Sequence, residues 1–69
     1  MGYYSPQFFT SAYDFAAADS NELSVGAGQV LAVHTKHDQE GNEDWWLVED
    51  EFGGVGYVPS TYFLPFQPS

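Results

Sequence analysis

The chain has 69 residues and carries ten Asp or Glu against a single basic side chain, Lys36, for a formal net charge of −9. That length allows one domain at most, with a single apolar core and a folding stability of about 3–10 kcal/mol. The absence of cysteine excludes a disulfide scaffold and thiolate metal sites, and so acidic a surface repels phosphate backbones and anionic lipid, which sets aside nucleic acid and direct membrane binding.

The opening "MGYYSPQ", residues 1–7, reads as an N-terminal extension. It lacks the basic and apolar regions of a secretory leader, and Pro6 stands where a lipidated Gly2 would need Ser or Thr. The following elements read as strands. "FFTSAY", "LSV", "QVLAVH", "WWLVE" and "VGYV" are short, rich in β-branched and aromatic residues, and bounded by Gly, Asp, Asn or Pro. Alternation turns Leu31 and Val33 inward against Val30 and Ala32, and places Trp46 and Val48 on the face opposite Trp45 and Leu47. The helix formers Ala16 to Ala18 are cut short by Asp19, Ser20 and Asn21, so no helix is expected there.

Between the first two strong strands the connection Asp14–Gly28 is long for so small a domain, which marks it as a binding element. The loop His34–Asp44 holds two histidines and four acids, but their spacing fits no familiar metal set. It reads instead as an extension that widens contact with a ligand. Gly41-Asn42 and Gly53-Gly54 mark turns, and Glu49, Asp50 and Glu51 read as a solvated hairpin. "LPFQPS" reads as an exit into a linker, with residues 67–69 as a tail. Five short strands in this span must curl into a small all-β barrel or sandwich.

"SAYDF" (Ser11 to Phe15), "ELSVGAGQVLAV" (Glu22 to Val33), "DWW" (Asp44 to Trp46) and "GYVPSTYF" (Gly56 to Phe63) together resemble, in order and spacing, the Src homology 3 (SH3) domain. The resemblance covers about Phe9 to Phe66, and residues 8–66 are taken as the domain. It implies a five-stranded barrel of two packed antiparallel sheets with a short 3-10 turn near residues 60–62. It also implies a non-catalytic adaptor module for signalling, cytoskeletal or endocytic assemblies. Such a module grips proline-rich Pro-x-x-Pro peptides in the polyproline II conformation, whose low residual entropy and paired ridges suit grooves between flat rings.

Carried onto this chain, the resemblance assigns Tyr13 and Tyr62 to one groove, with Phe15 in the place of a second tyrosine. Tyr57, Pro59 and Trp45 surround the next groove, and Thr61 stands where asparagine is common. Asp19, Glu22, Glu43 and Asp44 form the acidic pocket for a flanking Arg or Lys of the ligand. Ser11 takes the place of a small buried alanine, so its hydroxyl needs a partner such as a backbone carbonyl. Val25 replaces a larger side chain, and Phe9 and Phe63 point inward to supply the volume. The implied protein is a cytoplasmic monomer without a cofactor. Catalysis has no support from the residues: there is no Ser-His-Asp context, and "GGVG" lacks the lysine and helix of a phosphate loop. The alternative is an interaction domain that recognises a folded partner or an atypical motif through another face or the extended 34–44 loop.

Overall fold

The computed structural model describes residues 7–65. The N-terminal extension, with Tyr3 and Tyr4, and the tail 67–69 therefore lie outside the described residues, except that Gln7 already pairs with Val33. Five strands follow in order: β1 (Gln7–Ser11), β2 (Val30–Thr35), β3 (Trp45–Glu49), β4 (Val55–Pro59) and β5 (Phe63–Pro65), with the 3-10 turn Ser60–Tyr62 between the last two. All neighbours are antiparallel in the order β4-β3-β2-β1-β5. The two expected sheets are thus one continuous hydrogen-bonded ladder. It is strongly curled, because Trp46 of β3 stacks on Phe63 of β5 with centroids 5.3 Å apart. Three strand spacings in a flat sheet would hold them about 14 Å apart.

Alternation sets the core as expected. Leu31, Val33, Val48, Val58 and Phe63 are buried on the inner face, together with Val25 from the long β1–β2 connection. Phe9 and Trp46 pack on that cluster, edge to face at 5.0 Å. So Phe9 and Phe63 do supply volume near the smaller Val25. Ser11 is buried, and its Oγ donates to the Tyr13 carbonyl at 2.6 Å, which meets the demand its hydroxyl created. An extra residue at His34 breaks the β2–β3 register between Val33 and Thr35. His34 Nε2 then reaches Glu49 Oε1 at 2.9 Å.

Two elements differ from expectation. "LSV" is not a strand. Val25 makes a single bridge to Phe15, while the Leu23 amide turns the other way to the Tyr57 carbonyl at 3.1 Å. Split between two partners, the segment cannot extend along either. The fifth strand is instead "FLP", read above as part of an exit. It pairs Ser11 with Phe63 and Phe9 with Pro65. A proline is tolerated there because β5 is an edge strand, where a missing N–H costs no ladder bond.

The β3–β4 hairpin is held by Asp50, whose Oδ1 accepts from the amides of Phe52 (2.9 Å) and Gly54 (2.7 Å). Gly53 takes a φ of 86°, a left-handed conformation that suits glycine. The acidic hairpin is therefore more than a solvated face: Glu49 is bonded to His34, and Asp50 is the brace of the turn.

Candidate functional site

The site begins where β1 ends. The Ala12 amide donates to the Tyr62 carbonyl at 2.7 Å, which draws the start of the long connection against the 3-10 turn. Tyr13 thereby meets Tyr62 edge to face at 5.5 Å. Next along the chain, Asp14 turns away and accepts from the Ala27 amide through Oδ1 at 2.8 Å. Phe15 returns to the side of Tyr62, at 5.8 Å, and also stands 6.1 Å from Trp45. Paired amide–carbonyl bonds with Val25, 2.9 Å each way, fix it there. Tyr13, Tyr62, Phe15 and Trp45 thus form one unbroken strip of rings drawn from three distant parts of the sequence. It is open to solvent at one end, where Tyr13 is 61% exposed.

At the other end Trp45 faces Pro59 across the β3–β4 ladder, with Tyr57 two residues along the same face. Trp45 and Tyr57 line a hollow of about 220 Å³ with Asp19, Asn21, Glu22 and Asp38. A second hollow adjoins it, lined by Asn21, Asp38, Gln39, Glu40 and Tyr57. The acids arrive by two routes. The long connection is bonded to the free edge of β4, Tyr57 amide to Asn21 carbonyl at 2.9 Å and Leu23 amide to Tyr57 carbonyl at 3.1 Å. Glu22 Oε1 then accepts from the amides of Ala18 (2.8 Å) and Asp19 (3.3 Å), folding the tip of the connection around its own carboxylate. In the 34–44 loop, Asp38 Oδ1 accepts from the amides of Glu40 and Asn42, each at 2.9 Å, so the loop is braced from within.

The residues expected at the site therefore divide. Tyr13, Phe15, Trp45 and Tyr62 form the strip, Tyr57 and Pro59 stand beside Trp45, and Asp19 and Glu22 line the acidic hollow. Thr61 and Glu43 line a third hollow with Lys36, Trp46 and Ser60. Asp44 is exposed and is held by its backbone, its carbonyl accepting from the Ser60 amide at 2.8 Å. Asp38 and Asn21 were missed. The signal for Asp38 was its place three residues before Gly41, where an Asp commonly nucleates a turn and brings its carboxylate back toward the neighbouring strands. Among the described residues, none of Asp19, Glu22 and Asp38 has a basic side chain within 4 Å, the contact of that kind being His34–Glu49.

A curled five-stranded sheet bearing a half-buried strip of rings, open at Tyr13, that ends in carboxylates without a cationic partner has the build of an interaction module. The SH3 domain family model matches residues 11–60, and the chain belongs to the SH3 domain family, a family of protein-interaction modules. Dynamin-binding protein from Mus musculus is 48% identical over 56 residues, covering 81% of this chain and 4% of that protein. The chain thus spans only a small part of the length of such relatives. Among solved structures, the C-terminal SH3 domain of myosin IB from Entamoeba histolytica, bound to an EhFP10(GEF) peptide, superposes with a TM-score of 0.80 at 25% identity. That match covers 94% of this chain and 100% of the other. The SH3 domain of yeast NBP2 matches with a TM-score of 0.76 at 31% identity, over 88% of this chain and 98% of the other.

Proposed function

We propose that this chain is a non-catalytic module that binds proline-rich segments of other proteins in the polyproline II conformation, with a flanking Arg or Lys entering the acidic hollow. The observation that carries the reading is the continuity of Tyr13, Tyr62, Phe15 and Trp45, in ring-to-ring steps of 5.5 to 6.1 Å, into a hollow walled by Asp19, Glu22 and Asp38. A left-handed proline helix repeats every three residues, about 9 Å, and offers flat ridges to such a strip at little entropic cost. At the far end an arginine can meet a carboxylate while its plane lies against the Trp45 ring. The myosin IB relative crystallised with a peptide supports a peptide ligand here. Contact over so small a strip gives micromolar affinity, about −7 to −8 kcal/mol.

In this reading Thr61 and Glu43 are not part of the groove, and Asp38 takes the place given to Glu43 in the acidic pocket. The domain acts as a monomer within a longer cytoplasmic protein. The name of the dynamin-binding relatives supports a host in membrane traffic. The net charge of −9 supports the expectation that nucleic acid is not a ligand.

The test is a chemical-shift titration with an arginine-containing Pro-x-x-Pro peptide. The expected result is movement of Tyr13, Trp45 and Tyr62, with Trp45→Ala weakening binding about tenfold or more. Silence on the strip, with shifts confined to residues 38–40, overturns it in favour of a folded partner or an atypical motif.

A further inference from the structure

The third hollow, about 370 Å³, lies outside this scheme. It is lined by Lys36, Glu43, Trp46, Ser60 and Thr61. Its position is defined by the walls of the strip: Trp46 follows Trp45, and Thr61 precedes Tyr62, each one residue from a ring of the strip and on its other side. A backbone bond from the Ser60 amide to the Asp44 carbonyl joins the segments that carry these residues, and we take this junction as the ridge between strip and hollow.

Unlike the acidic hollow, it sets a cation beside its one carboxylate, Glu43. Lys36 is the one Lys or Arg of the chain. Its Nζ is held 5.2 Å from the centre of the Trp46 ring and 5.4 Å from that of Phe9. Yet no carboxylate lies within 4 Å of it among the described residues, not even Glu43 of the same hollow. The hydroxyls of Ser60 and Thr61 make no side-chain hydrogen bond among the described residues, so both are available to donate. An ammonium steered by two rings and two hydroxyls without a side-chain partner form a donor set beside one carboxylate, Glu43, which does not reach the ammonium.

We propose that this hollow receives an acidic side chain, Asp or Glu, from the part of the bound segment that leaves the strip over the Asp44–Ser60 ridge. The source of that carboxylate rests on the peptide-binding reading above. A cation would meet the Lys36 ammonium here and has unpaired carboxylates available in the acidic hollow. A phosphate would bring nearly two charges past Glu43 into a domain of net charge −9, whereas a carboxylate brings one. The module therefore reads a charge pattern, basic at the Trp45 end and acidic beyond the ridge.

The experiment uses two sets of peptides with the same proline core and arginine, carrying Glu or Gln at successive positions of each flank. They are titrated into the wild-type chain, Lys36→Met, which keeps an apolar stem on the rings, and Lys36→Gln should the first variant not fold. At one flank position the Glu peptide is expected to bind wild type about 2- to 5-fold tighter than its Gln twin. The preference should vanish in the Lys36 variant, and the Trp46 indole N–H and Thr61 amide should shift with the Glu peptide only. Equal binding of the twins at every position, or an unchanged preference in the Lys36 variant, overturns the proposal. Failure of the peptide-binding reading is a different result: Tyr13 and Trp45 stay silent, while Trp46 and Thr61 still report whether the Glu peptide alone is recognised.

Discussion

Gly56 of β4 lies directly beneath the backbone of Glu22: a Cβ at Gly56 would stand 2.8 Å from the Glu22 carbonyl carbon and from the Leu23 nitrogen. Backbone cannot swing aside as a flexible side chain can, so this glycine is what lets the long connection dock on the edge of β4. Through that docking it sets the position of Glu22 and Asp19 at the acidic hollow.

Gly56→Ala should therefore push the connection off β4, lowering stability by about 1–3 kcal/mol and weakening an arginine-containing peptide more than one with the arginine replaced. Urea unfolding and paired titrations measure the two effects. Wild-type affinity for both peptides would show that the connection does not depend on this contact.

Trp45 and Trp46 are neighbours with opposite duties. Trp45 meets Phe15 on the strip, whereas Trp46 stacks on Phe63 with an interplanar angle of 8° and touches Phe9. Trp46→Ala should cost about 2–4 kcal/mol of stability, somewhat under a fully buried tryptophan because the ring is half-buried. Trp45→Ala should leave stability within about 1 kcal/mol and remove most of the binding. Equal losses of stability in the two variants would contradict this division.

Asp50→Ala removes the acceptor for two turn amides and should destabilise the hairpin by about 1–3 kcal/mol. Peptide affinity measured well below the unfolding midpoint should not change, since Asp50 lines none of the described hollows.

Asp38→Asn separates charge from shape. The amide oxygen can still accept from Glu40 and Asn42, so the loop keeps its brace while the hollow loses one negative charge. An arginine-containing peptide should bind about 1.5- to 5-fold more weakly, with a shallower fall in affinity between low and physiological salt. An unaltered salt response would remove Asp38 from the pocket.

Most of the sheet could be read from the chain because alternation holds wherever strands pair along their full length, as Leu31, Val33, Val48 and Val58 all do. "LSV" misled because β-forming residues need a continuous partner, and Leu23 and Val25 bond to different elements. β5 escaped because three residues ending in proline resemble a linker until an edge position is known. The ring strip was legible through the family resemblance, which brings Tyr13, Phe15, Trp45 and Tyr62 together across long sequence separations. Asp19 and Glu22 of the Trp45 hollow were legible, but the acid from the other loop was not: the path of the 34–44 loop follows the amides that Asp38 gathers, with Asp38 at the Trp45 hollow and Glu43 at the hollow of Trp46.

The adjacency of β1 and β5 has a bearing on architecture. Phe9 sits across from Pro65 while Ser11 sits across from Phe63, so the polypeptide enters and departs side by side, at the pole away from the Ala12–Tyr62 junction. On the proposed reading, a partner sequence joined at that pole would leave the ring strip open to a ligand.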